Sequence, residues 1–288
     1  MDSTQFTSIA FFQKKKDITL YRAADEAHHY ILKSIITKDA AVRQAFCDEF
    51  ETLSHLRHPS IPVYYWLKEN VMLPGQETGA LTLCMEDCSC PAPCAPLSMD
   101  ALCVVMTKTA GILAYLLENG VLYTDLNPSN LIFSPMGVGH APQSLHKHDR
   151  EYRQYLRAAA SSETGKDYSV TLIDYTYCYY FLRNPKPTYP LRFSYDISPQ
   201  LKGQQFLIQA LTFLFYDLIE INQIRTLPSA VCQLLETGRN PSEDLSLADY
   251  IHMLERCCTK GVILPRAFHT VPRQSAPATS RSLLSSDD

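Results

Sequence analysis

The chain has 288 residues, 46% of them hydrophobic, and a formal charge of −4. That length supports one large domain or two lobes with a real core, and the mild acidity argues against nucleic-acid binding driven by bulk charge. Met1 to Lys16 holds no apolar run followed by a cleavage site. The strongest apolar run, Phe206 to Ile221, is interrupted by Gln209, Asp217 and Glu220, so no membrane span is expected. Without an export signal, the ten Cys are expected to be reduced thiols in a cytoplasmic protein.

In chain order, Phe6 to Phe12, Ile18 to Ala24 and Tyr30 to Ile36 read as three strands, rich in β-branched and aromatic residues. The polar turns Gln13 to Asp17 and Asp25 to His28 separate them. Lys33 is the one charge inside the third strand; alone, it reads as a snorkelling edge lysine. Asp39 to Arg57 is expected to be a helix, with Phe46, Phe50, Leu53 and Leu56 at helical spacing, and His58 to Pro62 breaks it. Val63 to Leu67 and Ala80 to Met85 are further strands. Cys88 to Pro96, rich in Pro and Cys, is the expected boundary between a strand-rich and a helix-rich half. Cys84, Cys88, Cys90 and Cys94 crowd there, but no Cys-x-x-Cys pair is present. Buried or linker thiols are expected rather than a zinc site.

Met99 to Leu117 reads as an apolar helix ending at Asn119-Gly120, a pair suited to a left-handed stop. Asn127-Pro128 forces a turn, and Asn130 to Phe133 reads as a strand. Asp125 and Asn130 are thus presented on a tight loop between apolar elements, the usual layout of a site, although turn chemistry alone would also explain both residues. Residues 134–169 read as a polar insertion with a helix from His148 to Ala160. Val170 to Ile173 is a strand closed by Asp174-Tyr175-Thr176, and Tyr177 to Gln200 is irregular and rich in tyrosine. Phe206 to Ile221, Leu227 to Thr237 and Ser246 to Cys258 read as helices, and the composition after Thr259 suggests disorder.

This order of elements, with Lys33, Glu49, Asp125, Asn130 and Asp174 in their places, resembles a eukaryotic-type protein kinase domain over about residues 6–258. The resemblance implies an α+β, two-lobed protein-kinase-like fold. A small antiparallel-sheet N-lobe with one main helix would span 1–88. A mostly helical C-lobe, carrying the insertion at about 134–169, would span 89–258, with a tail at 259–288. Tyr30-Ile31-Leu32-Lys33 resembles the Val-Ala-Ile-Lys strand, so Lys33 would bind the α- and β-phosphates of ATP. Glu49, ten residues before Pro59, would pair with Lys33, with Glu51 as the fallback register. Met85 resembles the gatekeeper, and Glu86 to Cys88 the hinge that meets adenine, with Ile132 also at the nucleotide. Asp125 would accept the hydroxyl proton. Asn130 and Asp174 would hold Mg²⁺, whose charge, with that of Lys33, offsets the transferring phosphoryl.

The departures are specific. Gln13 to Asp17 has no Gly, so backbone amides cannot close on phosphates as the family's do. Its three lysines either replace some of that charge or form a solvated basic turn. Ile31 replaces a small Ala and Leu20 the usual Val, and overpacking of this kind costs about 1–3 kcal/mol. Thr124 replaces the loop Arg, Asn127 the loop Lys, and Thr176 the Gly after Asp174. Tyr123 and Tyr175 keep aromatic bulk in place of His and Phe. Pro199-Gln200 lacks the Glu of Ala-Pro-Glu, and Asp244-Leu245 lacks its Arg partner. The resemblance implies ATP- and Mg²⁺-dependent phosphorylation of Ser/Thr hydroxyls, with a nucleotide and a protein as partners and neither nucleic acid nor membrane involved. The alternatives are a pseudokinase serving as a protein-binding module and a small-molecule kinase.

Overall fold

The computed structural model describes residues 6–15, 17–76, 79–88, 97–135, 168–197, 201 and 203–257. The helix expected at His148 to Ala160, the tail, Cys90 and Cys94 lie outside them. The chain divides into two compact units. The first gathers 1–89, 119–125 and 171–192; the second gathers 90–118, 126–170 and 193–288.

In the first unit, β1 (Ser8–Lys15), β2 (Ile18–Ala24), β3 (His29–Ile35), β4 (Tyr64–Glu69) and β5 (Leu81–Glu86) form one sheet in the order β1-β2-β3-β5-β4, antiparallel throughout. Period-two alternation sorts its side chains. Tyr21, Ala23, Tyr30, Leu32, Trp66 and Cys84 bury one face together with Leu73. On the other face Lys33 lies opposite Leu20 on β2 and Leu83 on β5, and Ile31 lies opposite Met85. β1 extends past the expected Phe12 through a bulge between Phe11 and Gln13, and the ladder closes with Lys15 opposite Ile18. Most of the segment expected as a turn is therefore strand.

Helix α1 (Ala40–Leu53) starts where the Asp39 carboxylate accepts from Ala41 N–H, a standard N-cap. It stops at Leu53, four residues short of the expected Arg57, with Ser54 as its cap and tighter bonds such as His55 N–H to Thr52 O beyond. Phe46 and Leu53 bury its apolar stripe, yet Asp48 and Glu49 are buried with them.

The second unit holds α2 (Met99–Glu118), a short 3₁₀ turn (Pro128–Asn130), β6 (Leu131–Pro135) paired with β7 (Tyr168–Leu172, whose last two residues belong to the first unit), α3 (Gln204–Ile221), α4 (Ser229–Arg239) and α5 (Leu247–Cys257). The expectation of no span-length apolar segment needs correction: by length and composition alone, α2 is long and apolar enough to cross a membrane. Leu102, Val105, Met106, Ile112, Leu113 and Leu116 are buried among α3 and α5 instead, which is the signature of a core helix. The α5 N-terminus carries a reciprocal cap, with Asp249 N–H donating to Ser246 Oγ and Ser246 N–H to Asp249 Oδ2.

Candidate functional site

The first unit draws together Lys33, Glu49, Asp125 and Asp174, which the sequence spreads over 142 positions. Lys33 is 4% exposed and Glu49 fully buried. β3 is the middle strand of the five, so Lys33 is no edge lysine and does not snorkel. Its Nζ donates to Asp174 Oδ1 at 2.8 Å and to Glu49 Oε2 at 3.5 Å. It also donates to Thr176 Oγ1, and the Thr176 hydroxyl in turn donates to Glu49 Oε2. Tyr64 O–H donates to the other Glu49 oxygen at 2.9 Å. A buried ion pair persists only when hydrogen bonds satisfy its remaining atoms, and Thr176 and Tyr64 do that here.

Burial pulls the Lys33 pKa down, but Asp174 and Glu49 outweigh it and hold the ammonium above the ordinary lysine value. Burial likewise opposes ionisation of Asp174. Lys33, with Arg192 and Lys15, overcomes that and keeps its carboxyl below the usual range. Both groups are charged near neutral pH.

Local hydrogen bonds fix Asp125 and Asp174 within this unit. Gly120 ends α2 with a left-handed φ of 83°, as expected, and a Cβ there would meet the Leu182 side chain at 2.6 Å. Leu122 and Tyr179 exchange two backbone bonds, at 2.8 and 3.0 Å. Tyr123 O–H donates to Ile173 O, and the Tyr123 and Tyr175 rings meet edge-on at 5.1 Å. The two tyrosines that keep aromatic bulk in place of His and Phe do pack on one another. Asp174 itself has φ 59°, a left-handed conformation uncommon outside Gly and Asn/Asp. Asp125 is 6% exposed, and Arg192 Nη1 lies 3.6 Å from its Oδ2 and 4.0 Å from Asp174 Oδ2.

Asn130 and Ile132 belong to the second unit. Asn130 closes the 3₁₀ turn, its N–H bonding Asn127 O, and is buried; Ile132 on β6 is half-buried. Met85 is buried. Glu86 exchanges bonds with Val63: its N–H donates to Val63 O, and its carboxylate accepts from Val63 N–H. Cys88 is half-buried, and burial followed by the neighbouring Glu86 and Asp87 pushes its thiol pKa up, so it is a poor metal ligand or nucleophile. Among the described residues no group of three His, Cys, Asp or Glu could hold a metal by itself. Mg²⁺ asks for less: one or two carboxylate oxygens, with phosphate and water completing its shell. The hard oxygens of Asp174 fit that demand.

Sequence reading did not find Tyr64, Arg192 or Asp48, and it marked Thr176 only as a replacement for Gly. Asp48 is fully buried on α1 and accepts from Gln44 Nε2 at 2.8 Å, Asn184 Nδ2 at 2.8 Å and Tyr189 O–H at 2.9 Å. It ties the irregular segment after Asp174 to the helix that carries Glu49. No local signal marked Asp48, which stands two residues from both Phe46 and Phe50 and so off the apolar stripe that helical spacing defines.

No protein-family model matches the chain, and no curated protein matches it. Among solved structures, the crystal structure of the Mycobacterium tuberculosis PknI kinase domain is similar, with a TM-score of 0.54 at 15% sequence identity. The match covers 89% of this chain and 99% of that domain. At that identity the likeness is one of fold, and the fold of this chain is kinase-like.

Proposed function

We propose that this chain is a phosphotransferase that uses ATP and Mg²⁺ to phosphorylate Ser or Thr hydroxyls of a protein partner. The observation that carries the reading is the buried Lys33–Glu49 pair bonded to half-buried Asp174, formed in the same unit as Asp125. Lys33 is oriented by Glu49 and offers positive charge to phosphate oxygens. Asp125 accepts the hydroxyl proton. Asp174 would hold Mg²⁺, and the assignment of Asn130 as a further ligand rests on the sequence resemblance. When bound, the metal supplies positive charge to the phosphates. Positioning and charge, more than covalent chemistry, are what phosphoryl transfer asks of a protein.

A second reading, a protein-binding module without transfer, is favoured by the β1–β2 hairpin. Its ladder runs to Lys15 opposite Ile18 and has no glycine to bring amides onto phosphates. Thermal melting with Mg²⁺-ATP separates the two: at 100 times the dissociation constant a ligand adds about 2.7 kcal/mol. The transferase reading expects that shift, and phosphoryl transfer that Asp125→Asn lowers at least about 100-fold. No shift at millimolar nucleotide would leave only the binding module.

A further inference from the structure

Two catalytic-type carboxylates in the first unit share one guanidinium. Arg192 Nη1 stands 3.6 Å from Asp125 Oδ2 and 4.0 Å from Asp174 Oδ2, both longer than a hydrogen bond. Its Cζ lies 5.2 Å from the centre of the Tyr177 ring, and its backbone N–H donates to Tyr177 O at 3.2 Å. Arg192 is thus held at its backbone with its guanidinium over the Tyr177 ring, while its side chain is 47% exposed. A guanidinium placed so can turn N–H donors towards an oxyanion while its charge still balances the carboxylates. Arg192 belongs to the unit whose β1–β2 hairpin has no glycine to bring amides onto phosphates.

We propose that Arg192 is the anion clamp of this site: its guanidinium receives the terminal phosphates of a nucleoside triphosphate in place of backbone amides. This rests on the phosphotransferase reading. A clamp of this kind discriminates by phosphate content and leaves the base and ribose to other residues. A charge-assisted bond of this type is worth about tenfold in affinity.

The test is calorimetric titration of the full chain with adenosine, ADP and ATP, each with Mg²⁺, for the wild type, R192Q and R192K. The expected result is an unchanged adenosine affinity in every variant. ATP affinity should fall about tenfold in R192Q and about threefold in R192K, which keeps the charge and loses the planar fork. A wild-type ATP-to-adenosine ratio in R192Q overturns the clamp while leaving the phosphotransferase reading intact. Tighter ATP binding by R192Q also overturns it, because Arg192 would then be occupying the place of the metal. If the wild type binds neither adenosine nor ATP, both proposals fall. Should R192Q melt early, R192K decides by the same ratio, and a wild-type ratio there overturns the clamp.

Discussion

Lys33 gains its meaning from three residues that no local pattern brings near it. Its strand and its charge were legible in the sequence, as were the carboxylates of Glu49, Asp125 and Asp174, because each sits at a fixed offset inside an apolar element. Arg192 was not legible. It lies in irregular chain, where neither period nor turn chemistry constrains a side chain, and only the fold brings it to Asp125. Thr176 was visible as a substitution, but its hydroxyl's role depends on the positions of Lys33 and Glu49. A different residue lends itself to a pH test. His58, in the turn after α1, accepts a bond from Ser60 N–H at Nδ1, 3.1 Å away, and burial lowers its pKa below the ordinary 6.5. The unfolded chain therefore takes up the proton first, and stability should fall as pH drops below about 6.5. Urea unfolding at pH 7.5 and 5.5 should show that loss in the wild type and a smaller one in His58→Gln.

At the scale of elements, boundaries moved more than identities. The three lysines near the first hairpin suggested a turn because charge and the lack of apolar alternation suggest one. Backbone pairing nevertheless continues to Lys15, since an outer strand places polar side chains in solvent at little cost. The stop of α1 at Leu53 likewise reflects capping by Ser54, which hydrophobic spacing through Leu56 does not register. Helix packing in the second unit was beyond a single-sequence reading, and Gly238 makes the point. It lies in α4, where alanine would be favoured by about 1 kcal/mol on propensity. A Cβ there, however, would land on the Thr212 hydroxyl and 2.7 Å from Tyr250 Oη, which are themselves bonded at 2.8 Å. Overpacking at about 1–3 kcal/mol should outweigh the propensity gain. Gly238→Ala should therefore lower the melting temperature by several degrees, and the loss should shrink on a Thr212→Ala background.

For the whole molecule, the kinase-like fold was legible as an order of elements, but the composition of its compact units was not. The first unit borrows 119–125 and 171–192 from beyond the linker. Those segments bring the partners of buried charges on strands and helix encoded earlier: Asp174 and Thr176 for Lys33, Asn184 and Tyr189 for Asp48. A fragment of residues 1–88, the lobe that the linker suggests, would keep only Glu49 for Lys33 and Gln44 for Asp48, and stripping the other partners from buried charges costs several kcal/mol. It should show no cooperative melt by circular dichroism, whereas the full chain should. The cluster around Lys33 has one more consequence. An ammonium carries three protons, and Glu49, Asp174 and Thr176 engage all three here. Any anion that reaches Lys33 must therefore arrive by substitution rather than addition, displacing an acceptor already in place. The neutral Thr176 hydroxyl is the cheapest of the three to displace, so a residue that looks like a lost hinge glycine acts as an internal competitor that sets how strongly the lysine can hold anything else.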